Sequence, residues 1–431
     1  MHELWNDLRI AARRLRHSPG FVLVAVLSLT MAIAANLVVF GVMNAAILRP
    51  LNVAGADRLQ MIEHQQHGYI SQSYPDYEDL RARNTTFSDM ATYRIGEAAV
   101  SIRGSAAKKS WIYEVSGSYF DMLGVQPELG RLFHTSDEHG PNSAPYIVLS
   151  DTYWRAHFGG DPRVVGSVVD LNKHPFTVIG VAPPEFHGTE LFLWPDFYVP
   201  IVNEEQLEGY SFLVKRYNHG LFVVGEMKPG VTLQQATNDL NTVGAQMAKL
   251  YPTDDDQFGA RLVKPGLFGD QVGDAARGFL TGMLLLALLV LAAACVNLAS
   301  IFAARAADRG RELAIRMAIG STRWRMLRQV LAEAALLSLL GGAAGTFVAA
   351  ALLRVLSQWR PIAAFPIHVT VAADLRVYAI AVLLAAASCV LPAVLTARQI
   401  WQIEAMQVIK GSAPGVFRRV SVRDVLLGLQ V

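Results

Sequence analysis

Charge is scarce in this chain: 17% of its 431 residues are Asp, Glu, Lys or Arg, against 52% that are hydrophobic. That composition excludes an ordinary soluble enzyme. With 9% aromatics and no period in its 34 glycines and 19 prolines, it also excludes a disordered or collagen-like chain. Cysteine is nearly absent: Cys295 and Cys389 both fall in apolar runs, so the polar segment 50–277 can hold no disulfide. No G-x-x-x-x-G-K-[ST] occurs, which excludes phosphate binding by the P-loop route. Neither a G-x-S-x-G nucleophile signature nor an H-E-x-x-H or Cys-rich metal pattern is present.

What is present is four stretches without a single charged side chain: Phe21 to Leu48, Gly278 to Ala304, Ala334 to Leu353 and Val377 to Ala397. Each reaches the roughly 20 residues that cross a hydrocarbon core about 30 Å thick. The first is too long for the h-region of a cleaved signal and ends in Leu48-Arg49-Pro50, so it reads as an anchor. Such runs lack the intramembrane ionisable groups of an ion-coupled carrier.

Basic residues flank alternate ends of these runs: Arg9, Arg13, Arg14 and Arg16 before the first, seven arginines between the second and third, and Arg398 to Arg423 after the fourth. By the positive-inside rule these flanks and both termini are cytoplasmic. Segment 50–277 carries 18 Lys+Arg against 28 Asp+Glu and faces outside, leaving a strongly basic remainder beneath a net charge of +2. The arginines then face an anionic membrane leaflet, and no nucleic-acid partner is read into them. The expected fold is a membrane protein of four transmembrane α-helices with a large α+β extracytoplasmic domain inserted between helices 1 and 2. Its segments are a cytoplasmic amphipathic helix at 1–20, spans at 21–48, 278–304, 334–353 and 377–397, the outer domain at 49–277, a cytoplasmic elbow at 305–333, a short external loop at 354–376 and a cytoplasmic tail at 398–431.

Within 1–20, Leu4, Leu8, Ala12 and Leu15, with Trp5 and Ala11, share an apolar arc beside Arg9, Arg13 and Arg16, which predicts a helix lying on the leaflet. Trp5, Trp324, Trp359 and Trp401 fall at span edges, as interfacial tryptophans do. In the outer segment, Tyr146–Leu149, Phe176–Val181 and Leu221–Val224 read as strands. Thr232 with Gln235 forms a capping box for a helix whose apolar residues are Ala236, Leu240, Val243, Met247 and Leu250, stopped at Pro252. Ser150 caps a short helix ended by Gly159-Gly160.

His64 and His67 sit at odd spacing on a strand, on opposite faces, and Asp254-Asp255-Asp256 lacks the alternation of a calcium loop, so no metal or other cofactor is expected. Gly341 and Gly345 form a G-x-x-x-G in the third span, a close-packing signal, and Asn36 and Asn44 share a stripe of the first span with Phe40, where a neighbour must satisfy their amides. The elbow reads as two short helices, with Gly320 stopping the first and Ser321 or Thr322 capping the second. On charge alone it is either a recognition element or a topogenic basic loop.

The string Arg311-Glu312-Leu313-Ala314-Ile315-Arg316-Met317-Ala318-Ile319-Gly320-Ser321-Thr322-Arg323 resembles the R-E-x-x-I-R-x-A-x-G segment of MacB/FtsX-type ABC-transporter permeases. Ala35-Asn36, Leu48-Arg49-Pro50-Leu51, Tyr119-Phe120 with Leu123-Gly124-Val125, Phe158-Gly159-Gly160-Asp161-Pro162 and Val178 to Pro184 are similar to the subgroup with a MacB-like periplasmic core. The likeness departs after Pro392-Ala393, where a second proline is missing from Gln402-Ile403-Glu404-Ala405-Met406. It implies a permease of the bacterial inner membrane that is not itself an enzyme. A separate ATP-binding subunit would grip the elbow through Arg311, Glu312, Arg316, Gly320 and Trp324, and would move the outer domain by mechanotransmission for export or efflux. It also implies a second permease half, as a homodimer or a covalent duplicate, into which the apolar start Val425–Val431 would lead. A second reading stays open: a membrane-anchored regulator whose outer domain controls an extracytoplasmic hydrolase or partner without moving cargo.

Overall fold

The computed structural model describes residues 2–48, 51–64, 70–102, 105–252, 258–308, 323–358 and 375–402. His67, the Asp254–Asp256 run, Arg311, Glu312, Arg316, Gly320, Trp359 and Val425–Val431 lie outside the described residues. The chain divides into two compact units: Ala46–Arg277 forms most of one, and Met1–Ala45, Gly278–Gln358 and the chain from Val371 form the other.

The first unit is built on one sheet of ten strands: β1 Leu59–His64, β2 Phe87–Ile102, β3 Lys108–Val115, β4 Leu129–Gly130, β5 Tyr146–Leu149, β6 Val168–Leu171, β7 His174–Val181, β8 Phe197–Pro200, β9 Phe222–Met227 and β10 Ala260–Val263. Their order is β10-β1-β9-β2-β3-β8-β5-β7-β4, with β6 pairing both β2 and β7. Most pairs are antiparallel; β3–β8 and β5–β7 are parallel. The 16-residue β2 is the spine, pairing along its length with β9, β3 and β6.

Side chains alternate along the strands between separate cores, as the two-residue period dictates. Tyr113 and Val115 of β3 and Val148 of β5 enter an aromatic core with Tyr93, Tyr119, Phe120, Phe133 and Tyr198, while Ile112, Ile147 and Leu149 join Trp154, Val178 and Phe197. A third cluster sets Ile62, Met90 and Val223 against the helices Tyr74–Arg83 and Leu233–Leu250. In the latter helix Thr232 Oγ1 accepts from Gln235 N–H at 3.3 Å, and Gln235 Oε1 accepts from Thr232 N–H at 2.9 Å. Ala236, Leu240, Val243 and Met247 are buried there, but Leu250, the last residue of the helix, is exposed. Ser150 caps the helix Asp151–Phe158, and Gly159 ends it at φ +62°.

The second unit is helical. We label α1 His2–Arg16, α2 Pro19–Met43 with a π turn Asn44–Leu48, α3 Gly269–Asp308, α4 Arg323–Gln358 and α5 Leu375–Gln402. Among the described residues three stretches are long and apolar enough to cross a membrane, Pro19–Leu48, Val272–Phe302 and Arg328–Ser357; the apolar stretch found in α5, Leu375–Val390, is shorter. The second helix expected in the elbow is not a separate element. From Arg323 onward it is the start of α4, because no Gly or Pro interrupts the chain before Gly341 and nothing breaks the helix at the membrane edge.

Because the polar unit has its own aromatic core and no cysteine, a fragment from Asn52 to Asp274 is expected to fold alone, melt in one cooperative transition and be indifferent to reductant. Circular dichroism melting with and without dithiothreitol checks this; a molten fragment is the contrary result.

Candidate coupling site

The helical unit packs where its small residues allow. A Cβ on Gly341 would lie 2.7 Å from Leu29 Cβ, and one on Gly345 would lie 3.1 Å from Ile33 Cβ and 3.2 Å from the Thr30 carbonyl oxygen. A side chain at Gly341 would force a shift and one at Gly345 would be tight, so α4 lies close against α2, and Thr30 Oγ1 reaches Gly341 O at 3.5 Å. Gly342 meets Ala385 of α5 in the same way, at 3.0 Å. Asn36 is buried in α2; its Nδ2 donates to Ala32 O at 2.8 Å and across to Ala287 O of α3 at 2.7 Å. Asn44 is buried at the head of the π turn.

At the other end of α4, Trp324 is 63% exposed in the first turn. One turn on, Arg328 donates to Asp7 Oδ2 from Nε at 2.9 Å and from Nη2 at 2.6 Å, and Arg14 donates to Glu333 at 3.3 Å. Asp7 and Glu333 are both buried. These two pairs bind α1 to α4 and explain a difference from the sequence reading. The covered side of α1 is centred on Asp7, Ala11 and Leu15, whereas Trp5 and Ala12 are exposed together with Arg9, Arg13 and Arg16. Hydropathy alone places Asp7 outside the buried arc; its partner lies 321 residues away, so no local pattern reports it.

In the polar unit the segment leading into α3 is fastened to the aromatic core. Glu190 is buried and accepts from Tyr93 O–H and from Phe268 N–H, the latter at 2.8 Å. Leu191 N–H bonds Gly266 O at 3.0 Å, and the Phe268 ring lies 5.5 Å from Phe222, itself beside Tyr93. Gly269 sits at φ +62° with its α-carbon against Glu63, where any Cβ would collide with the carboxylate, so glycine is required at the first residue of α3. Burial pushes the Glu190 carboxyl up to about 7 against the two donors that favour its anion. His64, singled out by sequence, packs edge-on to Phe258 at 5.1 Å. Among the described residues no group of three His, Cys, Asp or Glu side chains is placed to hold a metal ion.

A second buried acid carries more of the pH response. Glu114 is opposite Arg94 in the β2–β3 register and fully buried, and burial raises it to about 8, Arg94 opposing and Glu208 and Glu204 reinforcing the shift. Neither of its oxygens has a hydrogen-bond partner among the described residues.

A ten-stranded α+β domain joined to apolar helices long enough to cross a membrane is the architecture of a membrane protein with a large polar domain. The family model for the MacB-like periplasmic core domain matches residues 22–243, just over half the chain, and that for the FtsX-like permease C-terminal domain matches residues 284–405. The chain therefore belongs to the MacB/FtsX-type permeases, bacterial inner-membrane proteins with a periplasmic domain. It is 26% identical over 265 residues to the macrolide export ATP-binding/permease protein MacB of Neisseria gonorrhoeae, covering 61% of this chain and 38% of that one. To the protein of the same name from Salmonella typhi it is 25% identical over 348 residues, covering 78% and 50%. The chain thus spans half or less of the length of these relatives. The crystal structure of the periplasmic region of MacB from Actinobacillus actinomycetemcomitans is 17% identical with a TM-score of 0.37, covering 48% of this chain and 88% of that one.

Two predictions follow from this geometry. Gly341→Val is expected to overpack the α2–α4 contact, at a cost of about 1–3 kcal/mol, and to lower the melting temperature of the detergent-solubilised chain. Gly282→Ala, where nothing lies within 4 Å, should leave it unchanged; scanning fluorimetry compares them. Glu114, protonated to higher pH in the folded than in the unfolded state, makes stability fall as pH rises from about 4.5 to about 8 and level off above. Glu114→Gln should therefore melt above the parent at pH 8.5, with the difference vanishing near pH 4.5, in thermal scans across that range.

Proposed function

We propose that this chain is the permease component of an ABC-type transporter, in which an ATP-binding subunit grips the segment Arg311–Trp324 and drives the outer domain by mechanotransmission for export or efflux. The observation that carries the reading is the occurrence of a MacB-like periplasmic core and an FtsX-like permease domain in order on one chain. The charge partition agrees with it, as does the word "ATP-binding" in the names of the relatives. In this reading α2, α3, α4 and α5 are four spans with both ends of the sequence cytoplasmic, and the sheet domain is the insertion between the first two.

Arg311, Glu312 and Arg316 supply charge-assisted contacts to the ATPase. Gly320 lets the chain turn, and Trp324 anchors the head of α4 at the interface. Asn36, Asn44, Gly341 and Gly345 hold the bundle together, so that a push on α4 reaches α2 through backbone contact. A second permease half, as another copy or as a covalent duplicate, completes the transporter.

Glu312→Ala with Arg316→Ala should leave membrane insertion and the melting of the outer domain intact, while co-purification with the ATPase in mild detergent drops at least about tenfold, the scale of losing about 1.4 kcal/mol of contact. Gly320→Val should have a similar effect. Undiminished co-purification in both variants would leave the elbow a topogenic loop and sink its role in coupling.

A further inference from the structure

α1 presents two chemically distinct faces. The covered one is spoken for by α4, through Asp7–Arg328 and Arg14–Glu333 and through buried Ala11 and Leu15. At 3.6 residues per turn, Trp5, Arg9, Arg13 and Arg16 fall within an arc of about 80° on the opposite side. All four are exposed, Trp5 by 68%. Of the two acids in this helix, Glu3 lies in its first turn, and Asp7 is turned away from that arc and held by Arg328. After two residues, His17 and Ser18, the chain enters α2 with Pro19 at its first turn, and α2 begins the apolar stretch Pro19–Leu48. The face is thereby tethered within two residues of a membrane-crossing helix.

A merely solvated helix face does not call for a large exposed indole among its charges. An indole beside guanidinium groups at the end of an apolar helix suits the headgroup layer, where the ring lies at the carbonyl level and the fork of the guanidinium binds phosphate oxygens. An acidic protein groove would match the charge but gives no account of Trp5 or of the tether. The arrangement also differs from that of an ordinary leaflet-bound amphipathic helix, because the apolar side is already used against α4 and cannot be sunk into acyl chains.

We propose that the Trp5–Arg9–Arg13–Arg16 face of α1 binds the phosphate groups of anionic phospholipids, and that the ion pairs Asp7–Arg328 and Arg14–Glu333 carry this contact to the head of α4. The proposal rests on Pro19–Leu48 spanning the membrane and not on coupling to an ATPase.

The full chain is reconstituted in phosphatidylcholine vesicles with trace spin-labelled phosphatidylglycerol or spin-labelled phosphatidylcholine, and the immobilised fraction of each label is read by electron paramagnetic resonance. The expected result is a preference for phosphatidylglycerol of at least about threefold. It should fall to near parity in Arg9→Gln/Arg13→Gln/Arg16→Gln, weaken in 0.5 M NaCl, survive in the corresponding triple Lys variant and resist 20 mM inorganic phosphate. Equal immobilisation of the two lipids by the parent, or an undiminished preference in the triple Gln variant, overturns the proposal. Loss of the preference on adding phosphate does so too, pointing to a free-anion site. A triple Gln variant that keeps its lipid preference but loses a co-purifying ATPase overturns it in favour of a protein-docking face. A parent chain that immobilises neither lipid overturns the span on which the proposal rests, and this is distinguished by the absence of any immobile component.

Discussion

Apolar helices in a lipid solvent gain nothing by hiding from it, so what joins them must be contact itself. In this chain the contact is made at glycines: Gly341 and Gly345 bring α4 down onto Leu29 and Ile33 with no room at Gly341, and little at Gly345, for a methyl group. The rest of the helical unit is arranged around that approach. Asn36 bonds the backbone of α3 at 2.7 Å, and Gly342 meets Ala385 of α5 closely in turn. α4 thus carries both this close apolar contact and two ion pairs to α1.

The polar unit solves a different problem. Having no cysteine, it relies on aromatic bulk: Tyr93, Tyr113, Tyr119 and Tyr198 with Phe120 and Phe133 fill the centre of the sheet. Those phenols are held well above their ordinary ionisation by burial, and burial likewise pushes the Glu190 carboxyl set among them up to about 7. Glu190 spends its acceptor capacity on a core tyrosine and on the main chain that leads to α3. The route out of the domain is therefore anchored in its interior rather than on its surface.

What the sequence announced and what it hid divide by range. The capping box of Thr232 and Gln235, the Ser150 cap, the strand Tyr146–Leu149 and the close-packing glycines are written in residues a few positions apart, and each appears where its local chemistry puts it. Asp7 with Arg328, Arg14 with Glu333, and Tyr93 with Glu190 are separated by 97 to 321 residues, and nothing near either partner signals the other. This is why the covered side of α1 is rotated from the arc that hydropathy marks: Ala11 and Leu15 stay inside it, while Asp7 is drawn in and Ala12 and Trp5 are left out. The string from Arg311 to Gly320 was legible only as a likeness to other chains, since its residue types alone fit a topogenic loop equally well.

The sheet domain is entered through β1 and left through β10, and these two strands are antiparallel neighbours, with Met61 opposite Val263 and His64 opposite Ala260. Neighbouring strands lie about 4.8 Å apart. More than two hundred residues thus begin and end at almost one point, and to the chain on either side they behave as a short loop would, with little closure entropy to be paid. Such a domain is a cassette: it can be spliced into, lengthened within or exchanged from a helical protein without disturbing the spacing of the helices that flank it. The same closure has a mechanical side. Two strands that are drawn along together keep every rung of their ladder, whereas ends pulled apart would open it one hydrogen bond at a time.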